Sequence, residues 1–213
     1  HGERNLNMDF RQVRAFLEGE GYDVEELNIA EKAGVPDDAA LVVLPGPQKD
    51  YSKAEVDALD LYARGGGRLM VMLDPPTRGE PLPQLEKWLS SWGVKARRDI
   101  AVDPERNYFL DSRSPIPQWD YHATTRDLMK ERVQTVVPRS RSLAKGDVPV
   151  GYQATGLMKT SDASWGEVDL TAQRPSKDSK DTEGPLWLGY VIEAEYREES
   201  EEEEQQERDP TAS

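Results

Sequence analysis

Three segments set chemically capable side chains beside residues that stop a strand: His1-Gly2-Glu3, Pro45-Gly46-Pro47 followed by Gln48, and Asp74-Pro75-Pro76. In an open α/β sheet ligands bind beyond the carboxyl ends of the strands, and loops of this kind would converge on one rim. Glu3 and Asp74 would then anchor a ligand hydroxyl or amine, with Gln48 beside them and His1 as a nearby acid or base. The plainer account of the same residues is that they cap helices and end strands. Trp119 and Trp165 lie in polar stretches, where an indole can stack on a sugar, anchor a partner or fold back over the core. His122, in Tyr121-His122-Ala123-Thr124-Thr125, precedes a short helical stretch that either threonine could cap, and reads as structural or interfacial. The candidate ligand-binding set is Glu3, Gln48, Asp74, Trp119 and His122, with no catalytic residue, metal ligand or cofactor expected.

Several chemistries are closed by the sequence itself. There is no cysteine, hence no disulfide, thiolate zinc site or cysteine nucleophile. No G-x-x-x-x-G-K-[ST] segment occurs, so the chain is not an ATPase subunit of the Walker type. Gly65-Gly66-Gly67 follows a helical pattern and precedes a strand, the reverse of a phosphate loop, and reads as a helix end and turn. No G-x-S-x-G elbow is present, and two isolated histidines do not supply a metal cluster. Glu201 to Glu204 read as a solvated charge run.

The elements that would position these residues follow from periodicity. Leu6, Phe10, Val13, Phe16 and Leu17 mark a helical face stopped by Gly19 and Gly21. Tyr22 to Ile29 reads as a short strand. Ala40 to Leu44 is an unbroken apolar run, the pattern of a central parallel strand buried on both faces, and Arg68 to Leu73 is a second candidate of that kind. Ser52 with Glu55 forms a capping-box pattern ahead of Val56, Leu59 and Tyr62. Leu82, Leu85, Trp88, Leu89 and Trp92 make another helical face, closed by Gly93, and residues 100–102 a short strand. Alternating helices and apolar strands predict right-handed crossovers and an α/β core over residues 1–103, a mostly parallel sheet with helices on both faces. Residues 104–194 read as a β-rich elaboration of the same domain, with strands at Val133–Val137, Val150–Met158 and Leu186–Ala194. The first strand is expected to precede His1, and the chain reads as a piece of something longer.

The formal net charge is -14. Glu195 to Asp209 contributes half of that, with eight Glu and one Asp against two Arg. The body is acidic even without this tail, expected over 195–213 to be disordered. That disfavours nucleic acid, whose affinity rests on Lys and Arg neutralising phosphates, and likewise an anionic membrane surface. No run reaches the roughly 18–20 apolar residues of a membrane span, so any membrane anchor is expected outside this chain.

Taken in order, His1-Gly2-Glu3, Tyr22-Asp23-Val24, Leu41-Val42-Val43-Leu44-Pro45-Gly46-Pro47, Ser52 with Glu55, Gly65-Gly66-Gly67 and Leu73-Asp74-Pro75 resemble the GldG-like auxiliary component of gliding-motility-associated ABC transport systems. Tyr121-His122-Ala123-Thr124-Thr125, Arg139 to Leu143, Leu157 to Ser161 with Ser164-Trp165, and Gly184-Pro185-Leu186 resemble its second half. Where the family usually has His-Pro-Ile-Thr, this chain has His122-Ala123-Thr124-Thr125. The resemblance implies a fold similar to class I glutamine amidotransferase-like and intraflagellar-transport-type domains, which are flavodoxin-like three-layer α/β sandwiches. It also implies a non-catalytic domain on the extracytoplasmic, periplasmic face of the bacterial inner membrane, with ABC permease and ATPase subunits as partners. Two alternatives stay open: a carbohydrate-processing or other hydrolase built on Glu3 and Asp74, and a periplasmic-type receptor for a small molecule or glycan.

Overall fold

The computed structural model describes residues 10–32, 34–75, 77, 80–171 and 173–195. The elements run α1 (Arg11–Gly19), α2 (Ile29–Lys32), β1 (Val42–Pro45), α3 (Lys53–Arg64), β2 (Leu69–Met72), α4 (Pro83–Ser91), β3 (Val94–Ala96) and β4 (Ile100–Val102). They continue with β5 (Asn107–Tyr108), β6 (Asp111–Pro115), β7 (Gln118–Trp119), α5 (Arg126–Lys130), β8 (Leu143–Lys145), β9 (Tyr152–Lys159), β10 (Trp165–Glu167), β11 (Thr182–Glu183) and β12 (Trp187–Ala194).

The mostly parallel sandwich is overturned. Among the described residues one pair of strands is parallel, β1 with β2, in the register Val42 to Leu69 through Pro45 to Met72. The other ladders are antiparallel: a five-stranded sheet in the order β3-β8-β12-β9-β7, a three-stranded sheet β11-β10-β4, and the hairpin β5-β6. A short apolar run has the same appearance in either kind of sheet, and its partner is set by chain far away. Thus β4, expected to extend a parallel sheet, pairs antiparallel with β10 more than sixty residues on. Nor is β1 buried on both faces: Val42 and Leu44 point inward while Val43 is exposed, and in β2 Met70 is exposed. Tyr22 to Asn28 and Val133 to Val137, expected as strands, lie in neither helix nor strand.

Local chemistry explains the helices. Ser52 Oγ accepts from the Glu55 N–H and Glu55 Oε2 accepts from the Ser52 N–H at 2.9 Å, so the capping box forms and starts α3. Proline at the start of α4 loses no helical hydrogen bond there. Gly93, with φ of 83°, turns the chain from α4 into β3, where a Cβ would meet Val148 Cγ2 at 2.7 Å. The apolar faces of α3 and α4 close on β1: Val42, Leu44, Val56, Leu59, Leu85 and Trp88 are buried together. Full burial of such side chains is worth roughly 1.5–3 kcal/mol each. By contrast α1 buries none of its residues, and Phe16 is exposed.

Tyr152 and Ile192 of the antiparallel sheet pack against that cluster, with the Tyr152 ring edge-on to Trp92 at 4.9 Å. Arg141, nearly buried, bridges the same seam. It pairs with Glu86 at 2.8 Å and donates from Nε to the Arg97 carbonyl.

Candidate functional site

The rim beyond β1 and β2 brings Gln48 and Asp74 together. Gly46 (φ 69°) turns the chain straight out of β1, and its N–H donates to the Met72 carbonyl. A Cβ at Gly46 would sit 3.2 Å from the Asp74 carboxylate, so glycine makes room for that side chain as well as for the turn. Gln48 Nε2 then donates to Asp74 Oδ2 at 2.9 Å and to the Gly46 carbonyl at 2.9 Å. This knits the rim to itself. Asp50 caps the start of α4 from the same side, accepting from the Gln84 and Leu85 N–H groups. Glu3 and His1 lie outside the described residues.

His122 sits elsewhere, between α5 and the sheet, with Asp120 and Thr125 framing its turn. Thr125 Oγ1 accepts from the His122 N–H at 3.0 Å and donates to the Asp120 carbonyl at 2.6 Å. Nδ1 of the imidazole accepts from the Thr124 N–H at 3.2 Å and lies 2.9 Å from Thr124 Oγ1. That leaves Nε2 as the protonated nitrogen, donating to Glu193 on β12 at 3.2 Å, where Gln153 of β9 also donates. Hydroxyl, imidazole and carboxylate therefore follow one another in the order of a nucleophilic triad. Because Nδ1 also takes the backbone N–H of Thr124, the first contact belongs to a tight local turn, and the set reads as a clasp between that turn and β9–β12.

Trp119 is not in a loop. It lies in β7, paired with Met158 of β9, and Trp165 lies in β10 opposite Val102. Trp119 helps line an open groove of about 520 Å³ with Arg106, Leu128, Met129, Arg132 and Val133. Its indole Nε1 is shielded from solvent and meets no acceptor among the described residues. The groove contains neither the Gln48–Asp74 rim nor His122, so the candidate residues divide over three places. Among the described residues no group of three or more His, Cys, Asp or Glu side chains is placed to hold a metal ion.

Two fully buried carboxylates with several donors each were not legible in the sequence. Asp99 and Asp103 flank β4 and are buried. Asp99 accepts from the Ser142 N–H at 2.8 Å and hydroxyl at 2.6 Å. Asp103 accepts from the Ser161 N–H at 2.8 Å and hydroxyl at 2.7 Å, and from the N–H groups of Glu105 and Arg106. An Asp beside a strand looks like any turn residue, and the serines that satisfy these two lie more than forty residues away. Asp60 of α3 was also missed: it accepts from the indoles of both Trp88 and Trp92. Desolvation is the largest influence on its carboxyl and pushes the pKa up. Hydrogen bonds from Arg64, Trp88 and Trp92, with the Arg64 charge, outweigh it and hold the pKa below the ordinary value.

Residues 1–212 match a family model described as "ABC-type uncharacterized transport system", a family of auxiliary components. The chain belongs to this family. As an ABC transport auxiliary component it is similar in fold to a solved mmIFT52 N-terminal domain, at 17% identity over 81% of this chain and 77% of that one, with a TM-score of 0.58. At that identity the likeness speaks for the fold alone. A comparison with curated proteins gave no match. Among the described residues of this auxiliary component no helix is long and apolar enough to cross a membrane.

Proposed function

We propose that this chain is a non-catalytic domain of a GldG-like, gliding-motility-associated auxiliary protein. In this reading it is held at the extracytoplasmic face of a bacterial inner membrane by segments outside the chain. There it binds or assembles the permease and ATPase subunits of an ABC system. The observation that carries the reading is the match of residues 1–212 to the ABC transport auxiliary family. Two further facts support it. The candidate polar groups turn onto their own fold, Gln48 onto Asp74 and His122 onto Glu193. The sequence also lacks the cysteine that an amidotransferase-type reaction would require.

A small-ligand receptor is the second reading, favoured by the indole N–H of Trp119 left without an acceptor beside the open groove. Buried polar groups of this kind usually have a partner.

The test is a pull-down from bacterial membranes with this chain as bait, read by mass spectrometry. Co-purification of permease and ATPase subunits is expected. Their absence, together with a small metabolite retained by wild type and lost on Trp119→Phe, would overturn the assembly reading in favour of the receptor.

A further inference from the structure

Four residues other than glycine take left-handed backbone angles among the described residues: Phe109 (φ 48°), Leu110 (φ 61°), Arg132 (φ 53°) and Arg139 (φ 52°). All four lie in or beside one hairpin. Phe109 and Leu110 form the two-residue loop between β5 and β6, where Tyr108 faces Asp111 across the ladder. A loop with positive φ at both positions is ordinarily Asn-Gly or Asp-Gly, because larger side chains crowd the backbone there. Here it carries two large apolar groups, with Phe109 84% and Leu110 98% exposed. The Tyr108 and Phe109 rings meet edge to face at 4.4 Å, so the tip presents a small apolar cluster. Strained backbone that holds apolar side chains out in water points to a contact made there with something else.

The finger stands on a fixed base. Asp103 holds the N–H groups of Glu105 and Arg106 and is itself anchored to the Ser112 carbonyl through its own N–H at 2.7 Å. Residues 137–139 run along β6, with the Val137 N–H on the Pro115 carbonyl and the Arg139 N–H on the Arg113 carbonyl. The tip is therefore presented in one place and is not a loose loop.

Charge identifies what it meets. Residues 95–145 hold eleven Lys and Arg against seven Asp and Glu, a net of +4, in a chain of -14, which leaves -18 for the remainder. Asp99, Asp103 and Arg141 are buried, the last paired with Glu86, which leaves ten basic against five acidic side chains in this stretch. Asp111, next to the tip, turns back to accept from Ser114 Oγ at 2.7 Å and lies beside Arg113. Arg106 and Arg132 line the groove at the base of the hairpin, outnumbering the one carboxylate there, Glu105. An apolar tip with arginines behind it is complementary to the headgroup region of an anionic bilayer. Apolar side chains enter the headgroup–acyl boundary and guanidinium groups pair with phosphate. The overall negative charge disfavours an anionic membrane only if charge is spread evenly, and here it is not.

We propose that the β5–β6 hairpin is a membrane-docking finger, with Tyr108, Phe109 and Leu110 entering the interface of a bilayer that contains anionic phospholipid and Arg106, Arg113, Arg132 and Arg139 meeting its phosphates. This needs no permease or ATPase, so it stands or falls apart from the assembly reading.

The experiment is flotation of the full 213-residue chain with phosphatidylcholine vesicles with and without phosphatidylglycerol. Wild type is expected to float with the mixed vesicles, less with phosphatidylcholine alone, and less as salt rises. The double variant Phe109→Asn with Leu110→Gly puts the favoured turn pair in place, so the fold is kept while the tip is removed. Its partition should fall at least about tenfold with no drop in thermal midpoint. Arg113→Gln with Arg139→Gln should abolish only the phosphatidylglycerol-dependent part. Failure of wild type to float, or equal flotation of the Asn-Gly variant, overturns the proposal. If the chain ignores vesicles yet captures a solubilised permease through Phe109 and Leu110, the finger is a protein anchor and the lipid assignment is wrong.

Discussion

The stretch from α1 to α4 and the stretch from β3 to β12 are held together by different means. In the first, the buried side chains are apolar: Leu59 and Leu85 are fully enclosed between α3, α4 and β1, with Val42, Leu44, Val56 and Trp88 around them. In the second, the buried apolar cluster is Ala101, Leu186 and Leu188. Among the described residues every buried polar or charged side chain, from Asp99 to Glu167, lies there. Hydrophobic burial is non-directional and tolerates repacking, whereas a buried hydrogen-bond network admits one arrangement and costs heavily when a member is lost. The antiparallel half is thus the part whose geometry is most sharply specified, and it is also the part that carries the groove and the finger.

The largest effect expected from this contrast is at Asp103. Asp103→Ala strips the acceptor from four donors, two of them on the buried Ser161, at a position that is itself fully buried. Leaving buried donors unsatisfied costs about 1–3 kcal/mol each, and a loss of about 4 kcal/mol or more in total is expected. Urea unfolding followed by circular dichroism measures it. A loss under about 1 kcal/mol would mean that the network is incidental and that the second half is held by its few apolar contacts.

What could be read from the sequence follows the same division. The capping box of Ser52 and Glu55, the inward Leu85 and Trp88, and the places of β1, β2, β9 and β12 were legible because each is written in a local pattern of a few residues. Strand direction was not. An apolar run of four or five residues carries no record of its partner, and the alternation of helix and strand up to Val102 suggested a crossover where β4 in fact pairs with later chain. Val133 to Val137 has strand composition, yet it contributes one N–H to Pro115 and no ladder. Of the site residues, Gln48 and Asp74 do meet, since both end neighbouring strands. Trp119 and His122 do not join them, because β7 and the turn before α5 are placed by β9 and β12. The finger was invisible because Phe-Leu is not a turn pair on any local rule.

An intermediate effect is expected at Asp60, the polar exception within the apolar half. Its folded pKa lies below the ordinary value, so its contribution is fully present above about pH 4, the unfolded value, and is lost as pH falls through the lower folded one. Asp60→Asn keeps the shape and removes the charge that Arg64, Trp88 and Trp92 address. At neutral pH the variant should be less stable by about 1–2 kcal/mol, and the gap from wild type should close as the pH is lowered from 5 to 3. A gap independent of pH would assign the effect to packing of the two indoles and would make the first half uniformly apolar in character.

The smallest effect is expected at the rim. Gln48 is half-buried at the edge of the parallel pair, and water can replace its amide on Asp74. Gln48→Ala should therefore cost no more than about 1 kcal/mol, a fall of about 2–4 °C in thermal midpoint for a chain of this size. Differential scanning calorimetry resolves that. Should Gln48→Ala destabilise as much as Asp103→Ala, the rim would be a second polar network and the contrast between the halves would fail. A midpoint unchanged or raised would instead indicate that Gln48 and Asp74 are held together at a cost to stability, which is the signature of a binding surface and would return the rim to the front of the search for a ligand.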